Sequence, residues 1–261
     1  MSLHHLTALD ASPSDLVSIA GRLRCDHVTL FTHVPDQARG FYPCVTGDDV
    51  PALRDALAGA DVTVCNLEVF PLDRDGDLAR FEEGLRVGAA LGAPRATVHI
   101  HDVADLAAAA ERFAAFSTAA SGHGIVAGLE FNGFSAVKDI ASAAAIVRAA
   151  GCGALVLDVL HLMRNGADLA ALGRNADLVG YAQLCDGPLA IDPAEAWREA
   201  VRERRLPGDG EFPLAAILSR LGGDIVIEAE IPQAAARKAG VDAFERARRA
   251  IEAVRSVLPA A

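Results

Sequence analysis

Several features are missing from this chain, and each absence removes a class of protein. No stretch approaches the roughly 18 uninterrupted apolar residues of a membrane-spanning helix. The opening run Met1-Ser2-Leu3-His4-His5 has neither the basic nor the apolar region of a secretory signal, so a cytoplasmic address without a membrane partner is expected. Basic residues are in deficit, 24 Lys and Arg against 35 Asp and Glu, for a net charge of -11. Nucleic-acid affinity is built on cationic contacts to phosphate, so no nucleic-acid partner is expected. The one basic cluster, Arg198 to Arg205, is interleaved with Glu199 and Glu203 and reads as a solvated helix face. The five cysteines (Cys25, Cys44, Cys65, Cys152 and Cys185) are odd in number and never form a C-x-x-C pair. That excludes a disulfide framework and a zinc knuckle, and leaves most of them as small buried hydrophobes in a reducing compartment. Gly-rich phosphate loops are absent too. The first strand runs into Asp10-Ala11-Ser12-Pro13 rather than G-x-G-x-x-G, and the loop from Pro207 to Glu211 lacks the P-loop lysine.

What remains is a core-rich chain of 261 residues, 52% of them hydrophobic, with a mean hydropathy of +0.26. Disorder is excluded, and the length suits one α/β barrel. Short apolar runs lie near 3–8, 26–32, 61–69, 95–101, 124–131, 154–159, 178–184 and 224–230. Alanine-rich helical stretches follow them near 13–24, 48–60, 77–91, 103–121, 135–150, 164–175, 192–204 and 233–256, with an extra one near 212–221. Ser12-Pro13, Asp48-Asp49, Asp102, Ser135 and Asp192-Pro193 are helix-start signals, and Gly59, Gly92, Gly122, Gly151 and Gly222 mark helix ends. Strand–helix alternation repeated eight times predicts an α/β fold whose parallel strands close into a (β/α)8 TIM barrel. An open doubly wound sheet is the rival, and its usual phosphate loop is missing. No linker, low-complexity tract or repeat interrupts the chain, so one domain over residues 1–261 is expected.

The apolar runs end in polar residues. Strand three ends in Asn66-Leu67-Glu68, strand four in His99-Ile100-His101, and strand five in Glu130-Phe131-Asn132. Strand six ends in Asp158, strand seven in Gln183, and strand eight in Glu228-Ala229-Glu230. Alternation puts Glu130 with Asn132, His99 with His101, and Glu228 with Glu230 on shared faces. Each residue alone reads as a strand end, but ending strands needs no carboxylate. Carboxylates converging at the C-terminal rim of a barrel repel one another unless a cation joins them, so one divalent ion is expected there. Glu228 is preferred to Glu230 because it closes the apolar run Ile225-Val226-Ile227.

Gly128-Leu129-Glu130-Phe131-Asn132, Leu157-Asp158-Val159-Leu160-His161, Ala182-Gln183-Leu184-Cys185-Asp186, Leu206-Pro207-Gly208-Asp209-Gly210-Glu211 and Val226-Ile227-Glu228 occur in this order along the chain. Together they resemble the sugar phosphate isomerase/epimerase family, the xylose isomerase-like barrels. The resemblance implies a metal set of Glu130, Asp158, Gln183 and Glu228. Gln183 stands where His is commoner and is shared with some members of the 3-dehydroshikimate dehydratase type. An all-oxygen set favours Mn2+ or Mg2+, with Co2+ and Zn2+ also admissible. The family's Asp-x-x-His arrangement assigns His161 a substrate and proton-transfer role, so Glu130, His161 and Glu228 are the expected catalytic residues.

Glu68, His99, His101, Asn132, Arg164 and Arg205 are the candidate substrate contacts. Arg164 competes with pairing on the next helix, and Arg205 with a solvated helix end. His33 is a weaker candidate, Asp186 reads as a turn cap, and Trp197 as a core or interface residue. The leading expectation is a metal-dependent isomerase or epimerase of a small polyhydroxy carbonyl substrate, working beside a metal-polarised carbonyl. A lyase of the 3-dehydroshikimate dehydratase type, and a barrel that binds metal or ligand without turnover, are the alternatives. Homodimers are common in the family, and the residues themselves give a dimer no support.

Overall fold

The computed structural model describes residues 1–103, 105–223 and 225–259. Eight parallel strands close into a barrel in chain order: β1 Ser2–His4, β2 His27–Phe31, β3 Thr63–Leu72, β4 Arg95–Ile100, β5 Val126–Glu130, β6 Ala154–Asp158, β7 Val179–Leu184 and β8 Val226–Ala229. β1 pairs with β2 on one side and with β8 on the other. All eight apolar runs became strands, but β1 stops at His4, where the His4 Nδ1 accepts from the Leu6 amide and starts a 3-10 turn. That seam is short. Thr7 reinforces it by donating to the Ala229 carbonyl at 2.9 Å and accepting from the Ile231 amide at 2.9 Å.

Helices α1 Pro13–Arg22, α2 Val50–Ala60, α3 Glu82–Ala90, α4 Leu106–Ser121 and α5 Ile140–Ala150 wrap the first five strands. Buried Leu, Val, Phe and Ala on their inner faces pack against the outward side chains of the strands. Several starts differ from those expected. α4 is capped by Asp105 and α5 by Asp139, each accepting from an amide three residues on, rather than by Asp102 and Ser135. Asp105 and Asp139 have the extended backbone of an N-cap, which lets each side chain turn back to its amide.

The segment expected to form one helix over 164–175 is two. α6 Val159–Arg164 begins directly at the end of β6, and α7 Leu169–Arg174 follows a break at Gly166 and Ala167, both at positive φ. The remaining helices are α8 Ala196–Arg202, α9 Leu214–Leu218, α10 Ala234–Lys238 and α11 Ala243–Val257. Among the described residues no helix is long and apolar enough to cross a membrane.

Candidate active site

The polar strand ends converge at the C-terminal mouth of the barrel, around a cavity of ≈ 380 Å³. Its lining includes Glu68 from β3, His99 and His101 from β4 and just after it, Glu130 and Asn132 from β5 and just after it, Asp158 and His161 from β6 and α6, Arg204 after α8, and Glu230 after β8. Strand tilt decides which residue reaches this level. A barrel of eight strands climbs by about one residue for each strand passed, so a partner in register sits lower than its neighbour. Asp158 is in register with Gln183, and Gln183 with Glu228. Two strands on, Glu228 is therefore one inward layer below Asp158.

Glu228 was expected at the rim and is not there. It is fully buried, accepts from Ser2 Oγ at 2.6 Å and from the Tyr181 hydroxyl, and does not border the cavity. Burial pushes its carboxyl up to about 7, against the pull of His4. Glu230, two residues on, occupies the mouth instead. Gln183 is also below the rim, donating from Nε2 to Glu68 Oε1 at 2.9 Å while its Oε1 has no partner.

Two groups of potential ligands form. The donor atoms of Glu130, Asp158 and His161 all lie within 4.8 Å of one another, as do those of His4, Glu68 and Glu230, and all six residues are buried. The first group is built locally. Asp158 ends β6 and caps α6 by accepting from the Leu160 amide at 2.7 Å through Oδ1, which leaves Oδ2 free of any well-aligned hydrogen bond. The same first turn brings His161 Nε2 to 3.6 Å from that Oδ2. Burial lowers the His161 pKa despite Asp158 and Glu130 nearby, so its ring is neutral and able to offer a lone pair.

Protein cations already stand beside these carboxylates. His99 Nε2 is hydrogen-bonded to Glu130 Oε2. Burial, the largest single influence, lowers His99, but the Glu130 charge and hydrogen bond together with the Glu68 and Asp158 charges outweigh it and the net direction is upward. Arg204, 5% exposed, places Nη1 3.0 Å from Asp158 Oδ2 and 3.2 Å from Glu230 Oε2, joining the two groups. His4 Nε2 is 2.9 Å from Glu68 Oε2. Burial works against a charge on His4 too, yet the Glu68, Glu230 and Glu228 carboxylates lift it to about 10. Across the pair facing His4, burial raises Glu230, while His4 holds Glu68 low against its own burial. The convergence expected to demand a dication is thus balanced in large part by His99, Arg204 and His4.

The other expected contacts divide. His101 borders the mouth beside His99, with its pKa lowered by burial and by that neighbour. Asn132 also borders it, its Oδ1 capping the following turn through the Phe134 amide at 3.0 Å. Glu68 faces the cavity, but its oxygens are engaged by His4 and Gln183. Arg164 is excluded from the mouth by a two-point pair with Glu199, both bonds at 2.6 Å. Arg205 is exposed and donates only to the Asp209 carbonyl at 3.3 Å.

The backbone explains the last exchange. Isolated bridges at Glu203 and Arg205 turn those residues to one side of the chain and Arg204 to the other, into the mouth. Nothing in the run Arg202-Glu203-Arg204-Arg205 distinguishes the two arginines. His4 was legible in principle as a polar residue within the first apolar run. His33 is bound to the Val69 carbonyl at 2.8 Å behind Phe81. Asp186 is a turn cap, accepting from the amides of Gly187, Gly208 and Phe212 and so fixing the two-glycine loop. Trp197 is not a core residue: it is 58% exposed on the wall of the mouth.

No family model matches the chain, and no curated protein matches it. Solved structures do. The IOLI protein with a bound zinc atom superposes at a TM-score of 0.80 and 18% identity, covering 98% of this chain and 96% of that one. A xylose isomerase domain protein from Salmonella typhimurium gives 0.78 and 16%, covering 99% and 97%. A D-allulose 3-epimerase from Methylomonas gives 0.71 and 16%, covering 98% and 97%. Identities this low speak for the fold and not for the reaction. With its closed eight-stranded barrel and its polar C-terminal mouth, the chain has the fold of the xylose isomerase-like TIM barrels, in which sugar isomerases and epimerases are its structural neighbours.

Proposed function

We propose that the protein is a metal-assisted isomerase or epimerase of a hydroxy-ketone, working at the mouth through Glu130, Asp158 and His161. The observation that carries the reading is the closeness of three buried donor atoms, beside an Asp158 Oδ2 that pairs with Arg204 but makes no well-aligned hydrogen bond. Two carboxylate oxygens and one neutral imidazole nitrogen fit a divalent cation. The nitrogen shifts the preference toward Mn2+, Co2+ or Zn2+ and away from Mg2+, compared with the all-oxygen set implied by sequence. When bound, such an ion polarises a carbonyl and acidifies the C–H beside it.

The residues supply the rest. His99 fixes Glu130 through Oε2, leaving the second oxygen to exchange a proton with substrate. Glu230 reaches the same cavity from beyond β8, and burial raises its pKa. Epimerisation needs removal of a proton on one face of a carbon and delivery on the other, and two carboxyls entering the cavity from the end of β5 and from beyond β8 would meet that need. Glu230 thereby takes the place that sequence reasoning gave to Glu228. His101, neutral beside His99, is positioned to relay protons to solvent.

Elemental analysis of protein purified without chelator should find about one divalent ion per chain bound to the wild type, and Glu130→Gln and His161→Ala should lose it. In D2O the loaded protein should place deuterium on the carbon next to the carbonyl of keto-sugars or cyclic hydroxy-ketones. Glu130→Gln should slow this by at least about 100-fold. No exchange into any hydroxy-ketone, with metal bound, would sink the reading. An absorbing aromatic product from 3-dehydroshikimate would instead favour the lyase.

A further inference from the structure

We propose that the Arg164–Glu199 pair is a positioning strut, tying α6 to α8 so that His161 and Arg204 keep fixed places beside the Asp158 carboxylate. The inference rests on the proposed reading only in taking Glu130, Asp158 and His161 as the ligands of an ion. α6 has six residues, and its first turn is fixed by Asp158, which accepts from the Leu160 amide at 2.7 Å. Val159, Leu160 and Leu162 bury it, but apolar contact is non-directional and does not fix its rotation. Gly166 and Ala167 at positive φ break the chain just beyond its last residue, so no continuing helix steadies that end. Arg164 steadies it instead. It lies three residues beyond His161 and donates through Nε and Nη2 to the two Glu199 oxygens, both at 2.6 Å.

The strut is built into the fold rather than laid on its surface. The side chains of Arg164 and Glu199 are 14% and 10% exposed. The guanidinium lies 5.1 Å from the centre of the Phe212 ring. Gly187 leaves the pair room, since a Cβ there would come within 2.9 Å of Arg164 Nη2 and 3.1 Å of Glu199 Oε1. From Glu199 the tie runs on to the mouth. Arg204 Nε donates to the carbonyl of Ala200, the next residue of α8, at 3.0 Å, and its Nη1 is 3.0 Å from Asp158 Oδ2. His161 Nε2 is 3.6 Å from that same oxygen. One ion pair therefore joins the helix that carries His161 to the helix that anchors Arg204. A two-point arginine–carboxylate pair fixes orientation as well as distance.

Arg164→Met alone would strand a buried carboxylate, so the test combines it with Glu199→Leu, which removes both charges and fills much of the space. Isothermal titration calorimetry should show the folded double variant binding Mn2+ at least about tenfold more weakly than wild type. Arg164→Lys, which keeps the charge without the fork, should fall between the two. In metal-free protein the NMR signals of the His161 ring, assigned with His161→Ala, should shift or broaden in the double variant. A folded double variant whose Mn2+ affinity equals or exceeds that of wild type, or whose His161 signals do not move, overturns the inference. Should the double variant fail to fold, Arg164→Lys decides on the same two measurements. If the wild type itself binds no Mn2+, the metal reading falls and the His161 signals alone decide whether the strut positions that ring.

Discussion

Arg204 and Glu228 show how one residue's surroundings set its role. Arg204 is the protein's own cation between Asp158 and Glu230, and it shares the Asp158 oxygen that a metal would take. Arg204→Met leaves two buried carboxylates without that partner, and should cost about 3 to 5 kcal/mol in metal-free protein. A divalent ion can replace part of the lost charge. Thermal melts with chelator and with Mn2+ should therefore show a larger metal-induced rise in Tm for Arg204→Met than for wild type. Equal rises would mean that Arg204 and the ion do not compete.

Glu228 makes a pH prediction. Its folded value is raised from 4.5 to about 7 by burial. The stability it contributes is fully present below its unfolded value and is lost as pH climbs through the folded one. The loss is about 3 kcal/mol across that window. Glu228→Gln lacks this titration, so urea denaturation at about pH 5 and about pH 8 should give a smaller fall for the variant than for wild type.

At the scale of elements, the loops after the strands decide what the mouth contains. Asp186, just beyond β7, holds the loop that follows Arg204 and Arg205 by accepting three amides, two of them at 2.9 and 3.0 Å from Gly208 and Phe212. A Cβ on Gly210 would come within 2.1 Å of Asp186 Oδ1, so the close approach requires glycine there. Asp186→Ala should cost about 3 kcal/mol and speed hydrogen exchange at Gly208 and Phe212 before the barrel opens. Unchanged exchange at those amides would remove Asp186 from this role. The break between α6 and α7 has a similar consequence. By starting α6 directly at Asp158 it places His161 in the first turn over the mouth, where a helix begun at residue 164 would have left that histidine in a loop.

For the whole molecule, charge balance separates folding from metal binding. His99, Arg204 and His4 stand beside Glu130, Asp158, Glu230 and Glu68, so the barrel does not depend on an ion to bring these carboxylates together. Prolonged chelation should abolish deuterium exchange into substrate while leaving the far-UV circular dichroism spectrum and cooperative unfolding intact. A chain that unfolds on chelation would show that the protein cations do not suffice.

Readable from the sequence were the eightfold strand–helix alternation, the parallel barrel, and the placing of His99, Glu130 and Asp158 at the ends of their strands, whereas Glu68 lies within β3, which runs on to Leu72. These follow from local periodicity and from the rule that side chains alternate along a strand, both of which a single segment can display. Tertiary structure alone decided that Glu230 rather than Glu228 reaches the mouth, that Arg204 rather than Arg205 turns inward, and that His4 joins from the far end of the chain. Each of those choices depends on strand tilt across the barrel or on backbone bridges between distant segments. Alternation within one strand gives the face a residue occupies, but its height in the barrel is set by its neighbours.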